Sequence, residues 1–279
     1  MHNKTMREKL DSIGFKFSKS MGQNFLKDPN IPEKIVRLSN IDSSFGVIEI
    51  GPGVGALTVP LSESAGKVVA IELDDKLIPI LSDIFTDCEN VEFVAGDVLK
   101  LDVAELVREK LTDFRYCVCA NLPYNITSPV ITRLIEFDLF EQITVMVQRE
   151  VARRICADPG SSDYSAFSVF VNYHTEPVTL FDVPPECFVP RPKVYSSVVL
   201  MKPRAEKLLP KEDEDRFFKV VRAAFGQRRK TLVNALHATF GSKISKEDIT
   251  DIITSCGFDP RVRGETLGIE EFIRISTGF

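Results

Sequence analysis

The chain has no apolar run near the roughly 18 residues that a membrane-crossing helix needs. Its first ten residues, MHNKTMREKL, lack the apolar stretch of a secretion signal and the Arg/Ser-rich, acid-poor character of a transit peptide. The expected setting is therefore cytoplasmic, away from membranes. The six cysteines include no Cys-x-x-Cys pair. Cys117 and Cys119 fall at alternating strand positions and read as reduced and partly buried, neither metal ligands nor a disulfide. No metal is expected. The chain also lacks G-x-x-x-x-G-K-[ST], which excludes a P-loop nucleotidase, and it has no internal repeat or low-complexity segment.

What is present is an ordinary globular balance, 44% apolar and 27% charged, over 279 residues, a length that suits two domains. The net charge of −5 conceals a pattern. Residues 1–30 hold six basic and three acidic residues, 31–179 hold twelve and twenty-three, and 180–279 hold seventeen and fourteen. An acidic centre between basic ends suits an enzyme that grips a polyanion by its ends, although scattered surface charge gives the same counts. Residues 15–26, FKFSKSMGQNFL, interleave aromatics with lysines. That mixture fits stacking on bases and contact with phosphates, or a lid whose phenylalanines pack on the domain.

From Val47 to about Glu150, short apolar runs alternate with helical stretches. VIEI, KVVAIEL, VEFVAGD, RYCVCANL and ITVMVQRE read as strands, with helices expected near 55–64, 75–85, 103–111 and 128–137. Strands this apolar, each separated by a helix, predict a parallel sheet buried on both faces. In such a doubly wound fold, ligands lie beyond the carboxyl ends of the strands. A helix is also expected over 31–39, with others at 150–156 and 166–173. PVTLFDV and VYSSVVLM should add an antiparallel edge pair. Beyond Pro203 the strand signal stops, and four helical patterns predict a small all-helical domain. The expected division is a first domain over 1–205 and a second over 206–279, joined by KPRAEKLLPK.

The chemistry sits at strand ends. Gly51, Gly53 and Gly55 form G-x-G-x-G after VIEI, where glycine lets a ligand approach the backbone. Alone, the trio also fits a tight structural turn. Glu72 ends the next strand 21 residues after Gly51, where a carboxylate would bind the hydroxyls of an adenosine ribose. Asp97 closes the third strand, placed to accept from an adenine amino group. A dinucleotide site prefers G-x-G-x-x-G, and here the third glycine comes one residue early. S-adenosylmethionine, with a ribose and an adenine but no phosphate, fits better.

Asn121-Leu122-Pro123-Tyr124 ends the fourth strand. An adenine exocyclic amine is a poor nucleophile, because its lone pair is delocalised into the ring. Two acceptors, an Asn side-chain oxygen and a backbone carbonyl, would draw the amine out of plane and aim that lone pair at a methyl group. Pro123 has no competing N–H, and Tyr124 offers a stacking face. Positioning would then do most of the catalysis. Phe188, on the proline-rich stretch 188–193, is a candidate second stacking wall or a core residue. Arg222, Arg228, Arg229 and Lys230, taken as one helical stripe, are candidate phosphate contacts or a solvated face.

These residues closely match a known family. The chain resembles the rRNA adenine dimethyltransferases from about Lys16 to near its C-terminus. The matching stretches are Gly22-Gln-Asn-Phe-Leu26, Glu49-Ile-Gly-Pro-Gly53, Ile71-Glu72, Gly96-Asp97, Asn121-Leu-Pro-Tyr-Asn125, Phe188-x-Pro-x-Pro-Lys193-Val and Ala224-Phe-x-Gln-Arg-Arg-Lys-Thr231. The resemblance implies a Rossmann-like class I methyltransferase domain with a helical rRNA-binding domain. It implies S-adenosylmethionine as methyl donor and dimethylation of two adjacent adenosines in the 3′-terminal hairpin loop of small-subunit (16S) rRNA. The partner would be that rRNA within a pre-30S particle, met by a monomer. Asn24, Leu26, Gly51, Gly53, Glu72, Asp97 and Asn121 would line the cofactor, and Asn121, Leu122 and Tyr124 would hold the target base. The Erm type, which methylates one large-subunit adenosine, shares the Asn-Leu-Pro-Tyr motif. Gln227-Arg-Arg-Lys-Thr231 and Arg263-Gly-Glu-Thr-Leu267 favour the small-subunit type. A non-catalytic assembly factor on the same fold would not need Glu72, Asp97 and Asn121 through Tyr124 together.

Overall fold

The structure, a computed structural model, describes residues 25–279. The aromatic-basic stretch up to Asn24, including Asn24 as a cofactor residue, lies outside the described residues. The chain divides into two compact units. The first runs to Ala152 and adds Pro177–Pro203, and the second comprises Arg153–Glu176 and Arg204–Phe279.

In the first unit, β1 (Phe25–Leu26) and α1 (Asn30–Leu38) precede an alternating series. The series runs β2 (Phe45–Ile50), α2 (Thr58–Ser64), β3 (Lys67–Glu72), α3 (Leu77–Ile84) and β4 (Val91–Ala95). It continues with α4 (Val103–Lys110), β5 (Arg115–Asn121), α5 (Thr127–Glu136) and β6 (Gln142–Gln148). The five strands β2 to β6 pair in parallel, as their unbroken apolar runs predict. All six residues of β2 are buried, which explains a strand with no polar alternation. Cys117 and Cys119 are fully buried on β5, deeper than expected from sequence.

The sheet order is β4-β3-β2-β5-β6 followed by β9 (Ser196–Pro203) and β7 (Thr175–Val183). From β2 the chain steps outward through β3 to β4 and then returns to β5 on the opposite side. The carboxyl ends of β2 and β5 therefore mark the reversal of direction where an α/β sheet opens a crevice. The late strands take the sheet edge as expected, with β9 antiparallel to β6. A two-stranded ladder unforeseen in the sequence joins β1 to β8 (Phe188–Val189), opposing Leu26 to Phe188.

The second unit contains α7 (Ala166–His174), α8 (Lys211–Gly226), α9 (Leu232–Phe240), α10 (Lys246–Ser255) and α11 (Ile269–Ser276). α6 (Arg149–Ile155) enters it from the first. Local signals set its helix starts. Ser165 and Ser168 form a reciprocal cap on α7, Ser245 caps α10 through Asp248 N at 3.0 Å, and three acidic residues open α8. The division differs from a single break near 205, because residues 153–176 help build the helical core. Tyr164, Val169 and Tyr173 are buried with Phe217, Leu236 and Phe272. Tyr173 stacks on Phe217 with centroids 4.8 Å apart, and the Tyr164 hydroxyl donates to Leu267 O at 2.9 Å. Among the described residues no helix is long and apolar enough to cross a membrane.

Candidate functional site

A cleft of about 300 Å³ opens at the carboxyl ends of the parallel strands. Leu26, Gly51, Gly53, Glu72, Asp97, Asn121, Leu122 and Tyr124, eight of the residues expected at the site, all line it. The parallel topology brings seven of them together, since each follows or ends a strand whose carboxyl end faces the same way, and Leu26 joins them from the separate β1–β8 ladder.

The glycine turn is shaped for close approach. Gly51 and Gly53 sit at φ +67° and +58°, a left-handed conformation that other residues adopt at a cost. A Cβ on Gly53 would also lie 2.9 Å from Phe25 Cε1, so any side chain there would displace the ring that walls the cleft. Gly51 N donates to Ile71 O at 2.9 Å, which stitches the turn to β3.

Glu72 is nearly fully buried and held at both oxygens. Gly53 N donates to Oε2 at 3.1 Å and Asp74 N to Oε1 at 3.0 Å. Burial pushes its pKa above the usual carboxylate range, and the backbone donors oppose that push. Each oxygen keeps acceptor capacity for a further donor, such as a ribose hydroxyl. Gly96 N donates to Glu72 O at 2.8 Å, bringing the Gly96-Asp97 turn alongside. Asp97 Oδ1 accepts from Leu99 N at 3.0 Å, and Oδ2 lies 3.5 Å from the exposed Lys100 ammonium.

At the end of β5, Asn121 pairs with Met146 of β6, and Leu122 N donates to Met146 O at 3.2 Å. The Pro123 carbonyl accepts from Ile126 N at 3.3 Å and Thr127 Oγ1 at 3.1 Å. Among the described residues no donor reaches the Leu122 carbonyl. Tyr124 is part-buried, with its hydroxyl 2.7 Å from Ser196 Oγ. Burial raises the phenol's pKa while the Ser196 contact lowers it, so the ring stays neutral near pH 7.

Glu49 is a cleft residue that the sequence names only within a matching stretch, without a role. It is fully buried on β2, lines the cleft, and accepts from Thr58 Oγ1 at 2.7 Å. Burial raises its pKa to about 8; the Thr58 hydroxyl opposes this and the nearby Glu72 adds to it. The available signal was a carboxylate inside the otherwise apolar run VIEI, a position where structure alone favours Val or Leu.

Two expectations need correction. Phe188 is only 1% exposed, packs in the core with Leu26 and Ile35, and does not line the cleft. Of the two readings given for Phe188, a stacking wall or a core residue, its burial favours the core. The basic residues do not form one helical stripe either. α8 ends at Gly226, residues 227–230 form a turn closed by Lys230 N to Gln227 O at 2.8 Å, and Thr231 caps α9. Arg222 is exposed on α8, whereas Arg229 and Lys230 are exposed on the turn. Arg228 Nε pairs with Glu265 at 3.0 Å, and its Nη2 donates to Ser162 O at 3.0 Å.

A model of the family described as ribosomal RNA adenine dimethylase matches residues 14–274. The ribosomal RNA small subunit methyltransferase A of Anoxybacillus flavithermus is 45% identical over 97% of this chain and 92% of its own length. The dimethyladenosine transferase structure from Plasmodium falciparum superposes with a TM-score of 0.75 at 28% identity, covering 90% of this chain and 95% of that one. The 23S rRNA methyltransferase ErmE superposes with a TM-score of 0.71 at 24% identity, covering 91% of this chain and 99% of that one, a likeness of fold.

Proposed function

We propose that this chain, which belongs to the ribosomal RNA adenine dimethylase family, methylates the exocyclic amines of two adjacent adenosines in the 3′-terminal hairpin loop of small-subunit rRNA. Each amine becomes N6,N6-dimethylated. The observation that carries this reading is the convergence of Glu72, Asp97 and Asn121 through Tyr124 on one cleft beneath a glycine turn where a Cβ on Gly53 would meet the Phe25 ring at 2.9 Å.

The residues present fit S-adenosylmethionine. Glu72, fixed by two backbone donors, would take the ribose hydroxyls, and Asp97 the adenine amine. Gly51 and Gly53 would admit the amino-acid end against bare backbone, beside the buried Glu49 carboxyl. Leu26 and Phe25 would wall the cleft on its apolar side. When bound, the cofactor supplies a methyl group on a sulfonium centre.

The chain's own task is to orient the amine. In the first transfer the Asn121 side-chain oxygen and the Leu122 carbonyl would each accept one N–H, which turns the nitrogen lone pair toward the methyl group. As the N–C bond forms the S–C bond breaks, and the amine gives up one proton to solvent. In the second transfer the single remaining N–H would keep one of the two acceptors. Tyr124 would stack on the base after it leaves its neighbours, a face with no competing charge. Nothing in this scheme asks for a strong base, and the gain is one of placement. The helical unit, with Arg222, Arg229 and Lys230 exposed, would bind rRNA phosphates. The substrate would be a pre-30S particle met by a monomer.

The small-subunit reading is preferred over the Erm type because the relative at 45% identity carries that name along nearly its full length. The test supplies labelled S-adenosylmethionine with unmodified small and large ribosomal subunits and maps the label. Label is expected on two adjacent adenosines of small-subunit rRNA, and label in large-subunit rRNA would overturn the assignment. Asn121→Ala should lower the rate at least about 100-fold through misplacement of the amine, while cofactor binding stays measurable. Undiminished turnover in that variant would refute the mechanism.

A further inference from the structure

We infer that Ser196 is a positioning residue for methyl transfer: its hydroxyl anchors the Tyr124 phenol and so sets the ring face presented to the target base. The inference rests on the reading of Tyr124 as the stacking surface and adds what holds that surface in place.

Strand direction brings the two residues together across 72 positions of sequence. Because β9 runs antiparallel to β6, its first residue arrives where β5 and β6 end. Ser196 opposes Gln148 on β6, and Asn121 of β5 opposes Met146 two residues earlier. A parallel strand would have presented its first residue at the opposite edge of the sheet. Ser196 is fully buried, and its Oγ lies 2.7 Å from Tyr124 Oη. The next side chain points elsewhere: Ser197 Oγ donates to Asp182 Oδ1 at 2.6 Å, as strand alternation requires.

The backbone of the Asn121–Tyr124 turn is secured separately. Thr127 Oγ1 donates to the carbonyls of Pro123 and Tyr124 at 3.1 and 3.4 Å. With the backbone held, the remaining freedom of Tyr124 is its side-chain rotation. A hydrogen bond at the far end of the ring restricts that rotation, because the phenol oxygen must stay within reach of a hydroxyl fixed in a buried strand. The ring then stands ready before the base arrives, so less ordering is left to the reactive complex.

The test uses the full chain with unmodified small ribosomal subunits and compares Ser196→Ala, Tyr124→Phe and the double variant. Each single change removes one partner of the same bond and should lower kcat roughly fivefold, the scale of one neutral hydrogen bond. The KM for subunits and the equilibrium affinity for S-adenosylmethionine should stay within about twofold of the parent, since both variants keep the ring of residue 124 and every proposed cofactor contact. The double variant should be no slower than either single one. Wild-type kcat in Ser196→Ala, or losses that multiply in the double variant, would overturn the inference. If Ser196→Ala fails to fold, Tyr124→Phe decides alone, since it breaks the bond without altering the buried strand. Tyr124→Ala separates the two layers. Full activity there defeats the stacking reading itself, whereas a large loss in Tyr124→Ala with none in Tyr124→Phe removes only the anchor.

Discussion

The two compact units differ in how a position in sequence becomes a position in space. In the sheet unit, residues as far apart as Gly51, Glu72, Asp97 and Asn121 meet in one cleft, because parallel strands carry all their carboxyl ends to one edge. In the helical unit, Arg222 and Arg228 are six residues apart yet share no helix face, because Gly226 ends α8 and Thr231 starts the next helix. A strand end is an address that topology guarantees. A helical face is one only while the helix lasts.

The largest effect should separate the units by stability. Phe217 is fully buried in the helical core and stacks on Tyr173. Phe217→Ala should cost about 3–5 kcal/mol, the range for removing a buried aromatic side chain, read by chemical denaturation. A loss below about 1 kcal/mol would mean that residues 153–176 are not knitted into that core, and would return the boundary to the single break near 205.

An effect smaller per step, and spread over about three pH units, probes the sheet unit. Glu49 ionises near pH 8 in the folded chain, well above its usual value, chiefly because it is buried. Stability from a raised carboxyl pKa is fully present below the unfolded value and is lost as pH rises through the folded one. Between roughly pH 5 and 8 the cofactor-free protein should therefore lose about 1.4 kcal/mol per pH unit relative to Glu49→Gln. Parallel melting curves of the two proteins check this. If the parent instead gains on the variant as pH rises, Glu49 is charged in the fold, and its burial beside the glycine turn must be balanced by a cation.

Much of the sheet unit was legible in sequence because apolar runs, glycine turns and strand-end carboxylates each report a local requirement that the fold keeps. What sequence could not report was contact across distance. The Leu26–Phe188 ladder links segments 162 positions apart, and no local pattern announces it or the burial of Phe188. The Tyr124–Ser196 bond is hidden for the same reason, since a serine pair in an apolar strand is unremarkable until β9 is known to run antiparallel. The apolar residues of α7 were visible, but the unit they would join was not. The basic stretch misled in another way: Gly226 and Thr231 are ordinary helix stop and start signals, yet the charges around them drew the eye to a stripe.

The smallest effect bears on that stripe. Arg229 and Lys230 are exposed on the turn, whereas Arg228 is engaged by Glu265 and the Ser162 carbonyl. If the turn contacts rRNA phosphates, Arg229→Ala should reduce the slope of log affinity against log salt by about 0.9, the value for one phosphate contact on a duplex. Arg228→Ala should leave that slope unchanged and cost less than about 1 kcal/mol of stability, because its pair with Glu265 is half-exposed. Equal slope losses in both variants would show that Arg228 leaves Glu265 when RNA binds. Charge in the helical unit would then be an address after all, one written by the ligand and not by the fold.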